Sequence, residues 1–222
     1  MIFTSREKWS VEAATVLVVT AAVLYCSWPL GFILNPVATR KGLASELGAH
    51  GQPYNWLFIG ADIVSGIFLA VACLLLVRLF NAKSWRKASL GLLALYGICG
   101  ALDAALPIHC LPSTQVCGPI FGDPILVLHG IIDFTGSAAL IGTLVAEWLY
   151  AWRHHRSWLP WIYVIGGGGL IFAGLSLWFI IINGPGYWAQ RYYLTLSCIW
   201  VASLPIMFRA QRRRATIKKL NN

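Results

Sequence analysis

The sequence predicts an all-α polytopic membrane protein, a bundle of six transmembrane helices with the N-terminus and C-terminus in the cytoplasm. Three observations predict it: an apolar, charge-poor composition, six apolar stretches of spanning length, and basic residues confined to alternate loops. Of 222 residues, 58% are hydrophobic and 11% are charged. Soluble domains carry roughly 25% charged residues, so this chain cannot cover a packed core with a water-facing surface. The mean hydropathy of +0.69 agrees. The length suits one domain, residues 1–222. Six scattered cysteines are too few for a disulfide scaffold.

A hydrocarbon core of about 30 Å takes about 20 apolar residues as helix. The stretches that meet this run at Val11–Leu34, Asn55–Phe80, Ala88–Leu106, Ile125–Trp152, Trp161–Asn183 and Tyr192–Phe208, or 11–34, 55–80, 88–106, 125–152, 161–183 and 192–208. Breakers separate them: Asn35-Pro36, Gly51-Gln52-Pro53, Pro107, Asp123-Pro124, Pro160 and Gly184-Pro185-Gly186. Pro29 and Pro205 lie inside stretches and should kink them.

Orientation follows from the cations. Arg6, Lys8, Arg78, Lys83, Arg86, Lys87, Arg153, Arg156 and the tail cations from Arg209 to Lys219 share one side of a six-span arrangement. The other side holds only Arg40, Lys41 and Arg191. The positive-inside rule makes the first side cytoplasmic. The first stretch lacks a small-residue cleavage site and reads as an uncleaved anchor. The basic tail, 209–222, reads as a topology signal touching the inner leaflet, with no nucleic-acid partner. The tetraglycine Gly166–Gly169 has no Lys-Ser/Thr after it and reads as a close helix contact.

Ionisable groups inside spans are costly and usually face a bundle interior. Asp62 lies about 10 Å deep at the helical rise. Asp103 is near the outer end of the third span, and His129 and Asp133 are in the first turns of the fourth. His129, Asp133 and Ser137 share one helix face at i, i+4, i+8. Arg191, Tyr192 and His109 sit at the outer mouth. The expectation is one outward-facing polar pocket for a lipid-like or hydrophobic small molecule. Glu12 and Glu147 lie near basic loops, where snorkelling accounts for them.

Several roles are open to this set. His129, Asp133 and Asp62 can ligate a divalent metal such as zinc, the one cofactor expected, which activates water. His129, Asp133, Asp62 and Asp103 would then be catalytic, and Arg191, with His109 and Tyr192, would hold the substrate head group. Without metal, Asp133 can orient His129 as a general base, with Ser65 or Ser137 as nucleophile. The same groups suit a proton- or ion-coupled transporter. They also suit a non-catalytic scaffold in which His129 and Asp133 pair, and Arg191 neutralises Asp62 or Asp103. In the outer loop between the third and fourth spans, Cys110 and Cys117 are expected to form a disulfide. The loop Pro36–Tyr54 is expected to be a connector with a short surface helix near Leu43–Leu47.

The segments Phe58-Ile59-Gly60-Ala61-Asp62-Ile63-Val64-Ser65-Gly66 and Gly100-Ala101-Leu102-Asp103-Ala104-Ala105-Leu106-Pro107, followed by His109-Cys110 and by His129, carry a resemblance. The chain resembles bacterial six-span membrane proteins grouped as a domain of unknown function, across nearly its whole length. That resemblance implies a compact bundle in a bacterial inner membrane and no particular activity. More weakly, it is similar to the alkaline-ceramidase and progestin-receptor-like superfamily. That similarity implies a membrane-embedded hydrolase using Asp, His and Ser around zinc. The chain departs from it in having six spans rather than seven and no His-x-x-x-His in a final span.

Overall fold

The computed structural model describes residues 5–78, 85–106, 109, 124–153, 162–181 and 187–220. Regular structure among them is entirely helical. Four described stretches are long and apolar enough to cross a bilayer: Trp9–Leu34, Asn55–Val77, Trp85–Ala104 and Pro124–Arg153. Val164–Leu175 is a shorter apolar helix.

The first stretch is not one helix. Helix α1, Ser5–Tyr25, closes with Cys26 N–H donating to the Ala22 carbonyl at 3.1 Å. Pro29 has no N–H to continue the ladder, and Trp28–Leu30 tightens into a 3-10 turn. A folded cap follows, made of α2 (Gly31–Leu34), α3 (Pro36–Lys41) and the 3-10 turn Ala44–Gly48. Asn35 caps α3 by accepting from the Ala38 N–H at 3.3 Å, and Pro36 sits at the first helical position, where no N–H is needed. Thr39, Glu46, Leu47 and Ala49 are buried, so this segment packs as a small core instead of merely connecting. At Gly31 a Cβ would meet Thr39 and Leu47, so only glycine lets α2 lie against that core.

Four long elements follow: α4 (Asn55–Val77), α5 (Trp85–Ala104), α6 (Pro124–Arg153), and a single π-helical turn at Ile162–Gly166 leading into α7 (Gly167–Ile181). The last helix, α8, runs Tyr187–Leu220 with Pro205 inside it. Residues 209–220, expected as a separate tail, continue that helix. Neighbours pack α1 on α4, α4 on α5, α5 on α6 and α7 on α8, and α8 returns to α1. α6 reaches the remaining elements mainly through the π turn.

The helices approach closely where side chains are small. A Cβ on Gly66 would strike the Gly97 carbonyl, and one on Gly97 would press on the Gly66 carbonyl. Within the tetraglycine only Gly166 is tight in this sense, against Leu144, while Gly167 faces open space. Val18, Leu69, Cys73, Leu93, Leu140 and Trp200 fill the centre. Val16, Val23, Ile67, Leu74, Ile131, Phe134 and Ile171 point outward and stay exposed. An apolar exterior around satisfied helical backbones is what a hydrocarbon solvent requires.

Candidate functional site

The ends of α4, α5 and α6 nearest the cap enclose a cavity of about 190 Å³. Asp62 of α4, Asp103 of α5, and His129, Asp133 and Ser137 of α6 all line it. Tyr193 and Gln190 line it from α8, and Ala44, Ser45 and Gly48 from the cap. The antiparallel register of α5 and α6 brings His129 Nδ1 to 3.0 Å from Asp103 Oδ1. The two atoms are close but not aligned as a hydrogen bond, so their attraction is mainly electrostatic. Both side chains are only partly buried and can be reached from the cavity. His129 therefore takes its partner from a neighbouring helix and not, as its spacing suggests, from Asp133 one turn away. Asp133 is more exposed and faces the same chamber.

Three tyrosines form the floor. The Tyr96 hydroxyl donates to the Tyr25 hydroxyl at 3.2 Å, and their rings meet edge to face. Tyr193 reaches the same cluster. Tyr25, Asp62, Tyr96 and Gly100 also border a second void of about 30 Å³, which is lined further by Ser65, Ser197 and Cys198. Asp62 thus stands between two chambers. Sequence alone does not single out these tyrosines as site residues. For Tyr25 and Tyr96 the available signal is a position well inside apolar spans, away from the interfacial belts where Tyr and Trp usually collect; Tyr193, at the start of the sixth span, gives no such signal.

Other candidate residues go elsewhere. Arg191 is buried at the seam between α8 and the cap and pairs with neither Asp62 nor Asp103. Its Nη2 donates to the carbonyls of Thr39 and Gly42, the latter at 3.1 Å. The guanidinium lies 5.2–5.8 Å from the ring centres of Trp28, Phe32, Tyr187 and Trp188. This favours a planar, weakly hydrated cation. Gln190 beside it accepts from the Ala44 N–H at 2.6 Å, so two consecutive side chains of α8 clamp the cap. Tyr192 stacks on Phe172 at 5.0 Å, outside the cavity lining. His109 is exposed beside His50, their ring centres 5.1 Å apart. Ser65 donates to the Ala21 carbonyl at 2.8 Å, which uses its hydroxyl in packing α4 on α1. Cys110 and Cys117 lie outside the described residues. Among the described residues no three His, Cys, Asp or Glu side chains gather closely enough to hold a metal ion.

One charged pair is not evident from the sequence. Glu147 is fully buried near the far end of α6, with Oε2 3.4 Å from Nη2 of the equally buried Arg86. Arg86 also lies 4.4 Å over the Tyr150 ring. Snorkelling does not describe Glu147: it points into the bundle because α5 begins at Trp85 and offers a cation in its first turn.

Together the apolar exterior, the spanning helices and the charged interior define a multi-pass helical membrane protein. The chain belongs to the family described as a protein of unknown function (DUF998), which matches residues 13–207. Comparisons with curated proteins and with solved structures return no match.

Proposed function

We propose that this protein is a six-span protein of a bacterial inner membrane, both termini cytoplasmic, whose cavity opens outward and binds the head group of a lipid-like molecule. The observation that carries the reading is the convergence of Asp62, Asp103, His129 and Asp133 on one chamber. Three carboxylates and one imidazole favour a cationic or hydroxylated head group, because an uncompensated carboxylate is expensive at low dielectric. Volume limits the ligand as well. A chamber of about 190 Å³ has room for several waters or for a small head group. The lining takes Ile132 and Asp133 from α6 and Tyr193 and Leu194 from α8. The His129–Asp103 pair supplies a proton donor and acceptor at the head group.

Thermal unfolding of the purified protein in detergent, with dodecylamine, dodecanol or dodecanoate added, tests this. The amine, and to a smaller extent the alcohol, should raise the melting temperature, and the carboxylate should not. The amine's shift should disappear in Asp62→Asn/Asp103→Asn. No shift with any probe, or equal shifts in that variant, would remove the binding reading. Stoichiometric zinc in the purified protein, lost in His129→Ala, would replace it with a metal-assisted hydrolase.

A second reading, a proton-coupled transporter, is favoured by Asp62 bordering both chambers and by the Arg86–Glu147 pair far below them. Amine-driven proton movement across proteoliposomes, abolished by Asp62→Asn, would select it over binding alone.

A further inference from the structure

Two histidines from separate parts of the chain meet at the end of the bundle that holds the chamber. His50 belongs to the turn Ala49–Gln52, which the Gln52 N–H closes by donating to the Ala49 carbonyl at 3.2 Å. Gly51 beside it has φ +80°, a left-handed conformation that glycine adopts without strain. The turn is tied down at both ends: Ala49 is fully buried, and the Asn35 side chain donates to the Gln52 side chain at 2.7 Å. His109 comes shortly after α5, whose last turn closes with the Leu106 N–H donating to the Asp103 carbonyl at 3.1 Å. Both imidazoles are exposed. Their ring centres are 5.1 Å apart and their planes are inclined by 44°. Gly48 and Leu106, which precede them closely in sequence, line the chamber.

We propose that His50 and His109 are the two protein ligands of a zinc site that staples the cap to the segment following α5. An imidazole binds zinc through the lone pair of its unprotonated nitrogen, at about 2.0–2.1 Å, and zinc holds its ligands at tetrahedral angles. Two imidazoles on one zinc then have ring centres about 5 Å apart. That separation is already present, so what remains for binding is the orientation of the rings. Imidazole is a ligand that suits zinc without help from thiolate or carboxylate, and water completes the tetrahedron on the exposed side. A site with two protein ligands fills according to the zinc around it. Once filled, it joins two segments that α4 and α5 separate in the chain. Gly48 and Leu106 would thereby be held in fixed relation, and zinc would steady one side of the chamber. The site shares no residue with the set His129, Asp133 and Asp62, and it does not depend on what the chamber binds.

The test uses the full-length protein, purified without a polyhistidine tag, stripped with EDTA and titrated with zinc chloride in detergent by calorimetry. One zinc per chain is expected, in the wild type and equally in His129→Ala. His50→Gln and His109→Gln should each weaken binding by at least about tenfold, since even the loss of an outer-shell partner costs that much. Both side chains are exposed, so neither replacement should change the melting temperature measured without zinc. Hydrogen–deuterium exchange then asks whether the two residues share one ion. Zinc should slow exchange in wild-type peptides covering Ala49–Tyr54, and that protection should vanish in His109→Gln, although residue 109 lies outside those peptides. No zinc uptake, uptake unchanged in either variant, or uptake lost in His129→Ala but kept in both variants would overturn the proposal. Should a variant fold poorly, the wild-type exchange decides, and absence of zinc protection in Ala49–Tyr54 overturns the proposal as well.

Discussion

Arg86 and Glu147 face each other at 3.4 Å across α5 and α6, and Asp103 and His129 face each other at 3.0 Å across the opposite ends of the same two helices. The two contacts are separated by about 26 Å of helical rise. They bracket one antiparallel interface, buried and closed at the first end and open to a chamber at the second. Breaking a buried ion pair leaves a charge without its counter-ion, which costs about 3–5 kcal/mol, whereas replacing both partners with apolar groups is often neutral. Glu147→Gln and Arg86→Met should therefore each destabilise the protein strongly, and the double replacement Arg86→Met/Glu147→Leu should cost much less than their sum. Unfolding free energies in mixed micelles, arranged as a double-mutant cycle, measure this.

Gly66 and Gly97 let α4 and α5 meet backbone to backbone. Gly66→Ala places a methyl group on the Gly97 carbonyl, a rigid obstacle, and α4 must shift from α5. A loss of about 1–3 kcal/mol is expected, as for other overpacked interiors. Gly91, in the same α5 helix, has nothing within reach of an added Cβ. Gly91→Ala should be neutral or slightly stabilising, because alanine favours helix over glycine by about 1 kcal/mol. Melting temperatures of the two variants in one detergent separate packing from propensity.

The polar chamber was legible in sequence because hydrocarbon makes Asp62, Asp103, His129 and Asp133 conspicuous. Pairing was not. An i, i+4 stripe nominates Asp133 as the partner of His129, yet helix register selects Asp103, and one sequence does not reveal which faces meet. Arg86 and Glu147 escaped notice for a different reason: both lie near basic loops, where an exposed charge needs no explanation. Arg191 invited assignment to a carboxylate, because backbone carbonyls of a folded loop leave no trace in composition. From sequence alone the cap is a connector with a short surface helix near Leu43–Leu47. Its 3-10 turn, Ala44–Gly48, does lie there, but the burial of Thr39, Glu46 and Leu47 comes from tertiary packing.

Arg191 supplies a prediction about that cap. The planar fork serves two carbonyls at once inside an aromatic cage, and lysine has neither the shape nor the reach to do so. Hydrogen bonds from a charged donor contribute roughly 1.5–3 kcal/mol. Arg191→Lys should therefore speed amide exchange across Gly31–Gly48 by about ten- to a hundredfold. Exchange in the centres of α5 and α6 should stay unchanged. Hydrogen–deuterium exchange followed by peptide mass analysis reads both regions in one experiment, and uniform acceleration would mean that Arg191 supports the whole bundle and not the cap in particular.

The choice of partner for His129 can be decided without a ligand. His129 Nδ1 contacts Asp103 directly, while Asp133 lies a turn away on the same helix and is more exposed. Groups in contact behave non-additively, and groups without a shared contact add within about 0.5 kcal/mol. The His129–Asp103 pair is only partly buried, so solvent screening limits its coupling to about 0.5–1 kcal/mol. Unfolding energies of His129→Gln, Asp103→Asn and their combination should deviate from additivity by that amount, and by more than the cycle of His129→Gln with Asp133→Asn. Raising the salt concentration should shrink the first coupling, because the chamber admits solvent. A larger coupling to Asp133 would move the acid–base pair onto α6 alone and leave Asp103 free to meet a ligand.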